Sequence, residues 1–101
     1  MLGNSIGEFI DDLLLSGGPE KELVYHNKYY FLETTYFKSD KHYGLCIDEY
    51  DNTDPENKVL LHSYNFTGYN FNECVNKFEV ADIFDGMNIY QAEKEIEVIF
   101  G

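Results

Sequence analysis

Between residues 21 and 66 the chain alternates apolar and polar side chains in four runs broken by short polar segments, a pattern that calls for an antiparallel sheet. The runs are Lys21–His26, Tyr29–Phe37, His42–Tyr50 and Lys58–Phe66. Asn27-Lys28 reads as a two-residue hairpin turn, and Ser39-Asp40 as the centre of a second. The loop Asp51–Asn57, which contains Pro55, makes the third connection. Links this short suit a meander, because parallel neighbours need a crossover of a dozen or more residues.

These turns set a register. With Asn27-Lys28 as the turn, His26 faces Tyr29 and Tyr25 faces Tyr30. With Ser39-Asp40 as the turn, Lys38 faces Lys41 and Tyr36 faces Tyr43. Strand side chains alternate, so one face gathers Leu23, Tyr25, Tyr30, Leu32, Tyr36, Tyr43, Leu45 and Ile47 and reads as core. The fourth run adds Leu60, Tyr64 and Phe66, with Val59 and Leu61 competing for that role. The opposite face gathers Val24, His26, Tyr29, Phe31, Glu33, Phe37, His42, Cys46, Asp48 and Tyr50. It is aromatic but punctuated by acids.

Helical periodicity flanks the sheet. Ser5 and Glu8 have capping-box spacing, and Ile6, Phe9, Ile10, Leu13 and Leu14 then share one apolar face. Ser16-Gly17-Gly18-Pro19 stops that helix. Asn70 and Glu73 repeat the cap, followed by Phe71, Cys74, Val75 and Phe78 on one face. Asp85-Gly86 reads as a turn, and Asn88 with Gln91 caps a last helix that turns Ile89, Ala92, Ile96 and Ile99 inward. Glu95–Phe100 also alternates, so a terminal strand competes there. The expected fold is a single α+β domain over residues 1–101. It is a four-stranded antiparallel meander with an N-terminal helix and two C-terminal helices packed mainly on one face.

Composition narrows the partners. The chain has 101 residues, a net charge of -12 and 17% aromatic residues. The acidity argues against nucleic acid and anionic membrane, and the aromatics argue against disorder. All seven basic residues are Lys. The missing Arg, with abundant Asn, Tyr, Phe, Lys and Ile, matches AT-rich coding in a low-GC bacterium or its phage. It also leaves the chain without the side chain that grips phosphate and carboxylate bidentately. Cys46 and Cys74 sit far apart in apolar patterns and read as free thiols. Met1-Leu2-Gly3-Asn4 lacks the basic region of a secretory signal, which sets the expected location as the cytoplasm.

No chemistry-bearing motif emerges, and no cofactor or metal is expected. His42 and Cys46 share a strand face, but four residues along a strand separate them by about 13 Å, too far for proton transfer. His26, His42 and His62 have no paired-ligand spacing. The acidic stretch Asp48–Glu56 lacks the turn Gly and spaced Glu of a calcium loop, and reads as a solvated hairpin loop. The acids have two readings. One is solubility alone. The other is a docking surface for a basic protein, with apolar anchors inside an acidic rim. The candidate contact residues are Tyr29, Phe31, Glu33, Phe37, Asp48, Glu49, Tyr50 and Asp51. A helix packed over that face would instead make its rings core.

The tail Ala81-Asp82-Ile83-Phe84-Asp85-Gly86-Met87-Asn88-Ile89-Tyr90-Gln91-Ala92-Glu93-Lys94-Glu95-Ile96-Glu97 resembles the ends of small acidic proteins of low-GC bacteria, in which an Asp-Gly turn precedes a short Glu-rich helix. The likeness implies no activity or site. In size, charge and lack of motif the whole chain is similar in type to toxin-immunity and inhibitor proteins. The expectation is therefore a non-enzymatic acidic protein-binding domain, monomeric or homodimeric, that occludes a basic partner. The alternatives are a self-associating structural module, whose aromatic sheet face pairs with a second copy, and a small enzyme or ligand carrier. The last would show itself by a deep pocket holding two or more of His26, His42, His62 and Cys46.

Overall fold

The computed structural model describes residues 7–9 and 20–100. It is an α+β domain built on one antiparallel sheet: β1 (Lys21–Tyr25), β2 (Lys28–Phe37), β3 (His42–Asp51), β4 (Val59–Gly68) and β5 (Ile96–Phe100). Helix α1 (Phe71–Glu79) and the single turn α2 (Ile89–Ala92) lie between β4 and β5, and a 3-10 turn, Glu93–Glu95, leads into β5. The strand order is β4-β3-β2-β1-β5. The first four strands form the expected meander. The fifth corrects the expectation of four strands: Glu95–Phe100 satisfies both periods, and pairing with the open edge of β1 selects the strand.

The first hairpin also differs from expectation. Its turn is His26-Asn27, with φ of 45° and 61°, and the register pairs Tyr25 with Lys28 and Leu23 with Tyr30. A two-residue hairpin turn of this hand needs positive φ at both central positions, which Asn tolerates and Lys does not favour. Moving the turn by one residue slides every partner by two, so each side chain keeps its face. At the second hairpin Tyr36 faces Tyr43 as expected, with β2 ending at Phe37 and β3 starting at His42.

The core lies between one sheet face and the helical segments. Leu23, Tyr25, Tyr30, Leu32, Leu45 and Ile47 from the sheet meet Cys74, Val75, Phe78, Ile83, Phe84, Ile89 and Ala92, all buried. Burying each large side chain contributes roughly 1.5–3 kcal/mol. Phe9 belongs to the same cluster, and residues 7–9 are helical. The rest of the expected first helix and its Ser16–Pro19 stop lie outside the described residues. Buried Lys21 places its Nζ 5.6 Å from the centroid of the Phe9 ring.

Helix α1 starts as its sequence demands. The Glu73 amide donates to Asn70 Oδ1 at 2.9 Å, and the Glu73 carboxylate accepts from the Tyr69 amide at 2.8 Å. Asn88 and Gln91 close a reciprocal capping box on α2. Asp85-Gly86 forms a tight turn at positive φ, flanked by paired Phe84 and Met87.

Three core assignments are corrected. Ile99, expected to face inward, lies on β5 with the parity opposite to Ile96 and is 49% exposed. The other two are Tyr36 and Leu60. Tyr36 is 47% exposed and Leu60 is 52% exposed, while Tyr64 and Phe66 pack against the core as expected. Tyr36 sits near the end of β2, where its ring contacts Tyr43 rather than a buried neighbour. At Leu60 the cause is a bulge: the β3–β4 register shifts between Glu49 and Tyr50, so Leu60 pairs with Tyr50 and changes face.

Candidate functional site

Alternation along the observed strands defines the face turned away from the core. It carries Glu22 and Val24 from β1, Tyr29, Phe31, Glu33, Thr35 and Phe37 from β2, and His42, Cys46, Asp48 and Tyr50 from β3. Glu97 from β5 and Leu60, Ser63, Asn65 and Thr67 from β4 complete it. Among the described residues no helix packs on this side; α1 packs with the core residues against β3 and β4.

Cross-strand pairs organise the rings. Tyr29 opposes Tyr50, with ring centroids 5.8 Å apart. Phe31 opposes Asp48 on one side and Glu22 on the other. Phe37 stacks on His42 at 4.7 Å and 23°. Phe37 and Glu33 are exposed, and Tyr29, Phe31, Asp48 and Tyr50 are half-buried among their strand neighbours. Lys58 Nζ lies 4.7 Å from the Tyr29 ring centroid, so one ring of this face already carries a cation in place.

Four carboxylates surround these rings: Glu22, Glu33, Asp48 and Glu97. The Tyr29 hydroxyl donates to Glu22. Burial, and next that hydrogen bond, push the Tyr29 hydroxyl above its ordinary value. Ser63 Oγ donates to Asp48 at 2.7 Å, and Cys46 Sγ donates to Asn65 Oδ1 at 2.8 Å. Burial, then the negative charges of Glu33 and Asp48, raise the Cys46 thiol, which keeps it protonated and weakly nucleophilic.

Six of the eight residues expected in the contact set come together here: Tyr29, Phe31, Glu33, Phe37, Asp48 and Tyr50. The other two point elsewhere. Glu49 lies on the core face and is 3% exposed, hydrogen-bonded to the Tyr30 hydroxyl, which also lies 3.3 Å from the Ile83 carbonyl. Asp51 shares the parity of Glu49, and its carboxylate accepts from the Thr53 amide and hydroxyl at 2.9 and 2.8 Å. Those two bonds hold it below the usual carboxylate range. His26, expected on this face, sits in the turn between Glu95 at 3.1 Å and Asp85 at 3.7 Å. Sequence reasoning missed Glu22 and Glu97. The alternation of Ile96-Glu97-Val98 was the signal for Glu97, legible once that segment is taken as a strand.

Two acids off this face are tied down locally. Asp54 accepts from the Glu56 amide at 3.1 Å and from Asn57 Nδ2 at 2.9 Å, and Lys28 Nζ donates to Asp85 at 2.8 Å. Among the described residues no group of three His, Cys, Asp or Glu is placed to hold a metal ion. An open groove of about 470 Å³ is lined by Asp40, His42, Thr67, Gly68, Tyr69, Glu73 and Lys77. Of the His and Cys that would mark an enzyme pocket, it takes in His42 alone. Among the described residues no helix is long and apolar enough to cross a membrane. Comparisons with protein-family models, with curated proteins and with solved structures find no match to this chain.

Proposed function

We propose that this chain is a non-enzymatic binding domain that docks a basic protein on the open face of its sheet. In the manner of an immunity or inhibitor protein, it would occlude a cationic site. One observation carries the reading. Tyr29, Phe31, Phe37 and Tyr50 share the face that no described helix covers, and Glu22, Glu33, Asp48 and Glu97 share it with them. Rings inside a carboxylate rim supply apolar anchors and a sign preference together. The Lys58 ammonium over Tyr29 is an internal version of the contact such a partner would make.

The chemistry sets the partner's type. Lys- and Arg-rich surfaces are attracted by a chain of net charge -12, and the attraction is steepest at low salt. Binding of a Lys-rich peptide, followed by amide chemical-shift mapping at low salt, tests the reading. The expected shifts centre on Tyr29, Phe31, Glu33, Phe37, Asp48 and Tyr50. Shifts centred instead on the Asp51–Glu56 loop and Glu93–Glu95, with none on the rings, would contradict it.

A further inference from the structure

β4 is one margin of the sheet, and its outer main-chain groups meet no described strand. The Thr67 carbonyl accepts from Lys77 Nζ at 2.5 Å, so it points away from β3. Alternation along the strand turns the Asn65 and Ser63 groups outward as well. At the other end of the strand, Val59, Leu60 and Leu61 are 60%, 52% and 43% exposed. Exposed edge strands are usually blunted by a Lys or Pro on the strand or kept very short. This one is ten residues long and contains neither. Lys77 occupies one carbonyl near its end, and the bulge opposite Tyr50 bends it near Leu61. Neither device removes the apolar triplet from water.

The charge pattern says what fits there. Residues 59–72 contain no Asp, Glu, Lys or Arg, a run of fourteen and twice the length of the next longest in the chain. β4 lies wholly inside it. A cationic partner is drawn to carboxylates and needs no such stretch. Two copies of a chain with net charge -12 repel each other wherever their acids meet, and here they meet none on the strand itself. A strand is also its own antiparallel complement, which gives a closed, two-fold contact.

We propose that β4 pairs with β4 of a second copy of this chain, antiparallel about an axis normal to the sheet. The two five-stranded sheets then become one continuous sheet, with the helices of both copies on the same side. Main-chain bonds along one edge and an apolar triplet make a contact below standard interface size, so the dimer is weak and concentration-dependent. The pairing does not rest on what docks on the open face. It would set two such faces side by side and double their reach.

Salt separates the two proposals. Screening weakens attraction to a basic partner and relieves repulsion between like chains, so heterotypic binding falls with salt and self-pairing rises. Sedimentation velocity of the full chain, from micromolar to millimolar and at low and raised salt, reads the dimer directly. Amide hydrogen exchange at Ser63 and Asn65 locates it. The expected result is a dimer fraction that grows with concentration and with salt, with slower exchange at both amides in step. Leu60→Lys and, separately, Leu61→Lys should each weaken the dimer about tenfold or more by replacing an apolar contact with an ammonium that pairing would desolvate, with the monomer's circular dichroism unchanged. Both positions are exposed, so folding survives either change. A chain that stays monomeric at millimolar concentration and raised salt overturns the proposal. So does a dimer that ignores both Lys substitutions and leaves the Ser63 and Asn65 amides exchanging freely.

Discussion

The Phe37 ring lies over Gly44: a Cβ added at Gly44 would stand 3.0 Å from Phe37 Cε2. Gly44 pairs with Thr35, two residues along and on the same face as the stacked Phe37–His42 pair, so the missing side chain is what lets the ring lie flat on the open face. Gly44→Ala should tilt Phe37 off His42 and change the ring-current shifts of the imidazole. Phe37 is exposed and free to move, so the stability change should stay within about 1 kcal/mol in denaturant unfolding. A larger loss would mean that the ring is held more firmly than its exposure implies.

Behind the open face, Glu49 is a buried carboxylate hydrogen-bonded to the Tyr30 hydroxyl. Tyr30→Phe keeps the packing and removes that partner, leaving a buried acceptor short of a donor. The expected loss is about 1–3 kcal/mol, measured as a lower urea midpoint at unchanged slope. A neutral result would show that Glu49 finds another donor.

Alkaline pH should destabilise the fold ahead of any acid effect on these tyrosines. Burial is the first cause that raises Tyr25, Tyr29, Tyr30 and Tyr64 above their ordinary value of 10.0. The folded state therefore favours the protonated phenols. Their contribution is whole below about pH 10 and is lost as pH rises through the raised folded values. Tyrosinate absorbance followed against pH, beside circular dichroism, should show these four ionising together with unfolding. Ionisation of these four near the ordinary value, with the fold intact, would contradict the burial described here.

Cys46 reports the local potential of the open face. Glu33 and Asp48 both raise its thiol, behind burial. Glu33→Gln should therefore speed alkylation of Cys46 a few-fold at fixed pH, while buried Cys74 stays protected until unfolding. Mass-resolved alkylation rates check this, and an unchanged Cys46 rate would mean that the face carries no net negative potential at that point.

Much of this face was legible in the alternation alone, and the reason lies in parity. The first hairpin turns at His26-Asn27 rather than Asn27-Lys28, yet Tyr29 and Phe31 keep their side because a one-residue move of the turn slides partners by two. Where parity itself breaks, sequence reading fails. The bulge opposite Tyr50 turns Leu60 out of the core, and nothing in Val59-Leu60-Leu61 marks which residue is the extra one. The last segment was ambiguous for another reason. Ile96 and Ile99 fit helical spacing after Ile89 and Ala92, while Ile96 and Val98 fit a strand, and only the vacant edge of β1 decides between them. Glu49 lay one residue from the intended face, since neighbours in a strand point opposite ways.

The central claim is that the acid-ringed aromatic face, and not charge in general, receives a basic partner. The most direct measurement is the affinity of a labelled Lys-rich peptide for two charge-matched variants, Glu33→Lys on the open face and Glu56→Lys in the exposed β3–β4 loop. Both shift the net charge equally. Weakening of about tenfold or more for Glu33→Lys, against less than about threefold for Glu56→Lys, is the predicted result. Equal losses in the two variants would contradict the claim and leave the acids as a general field around the fold.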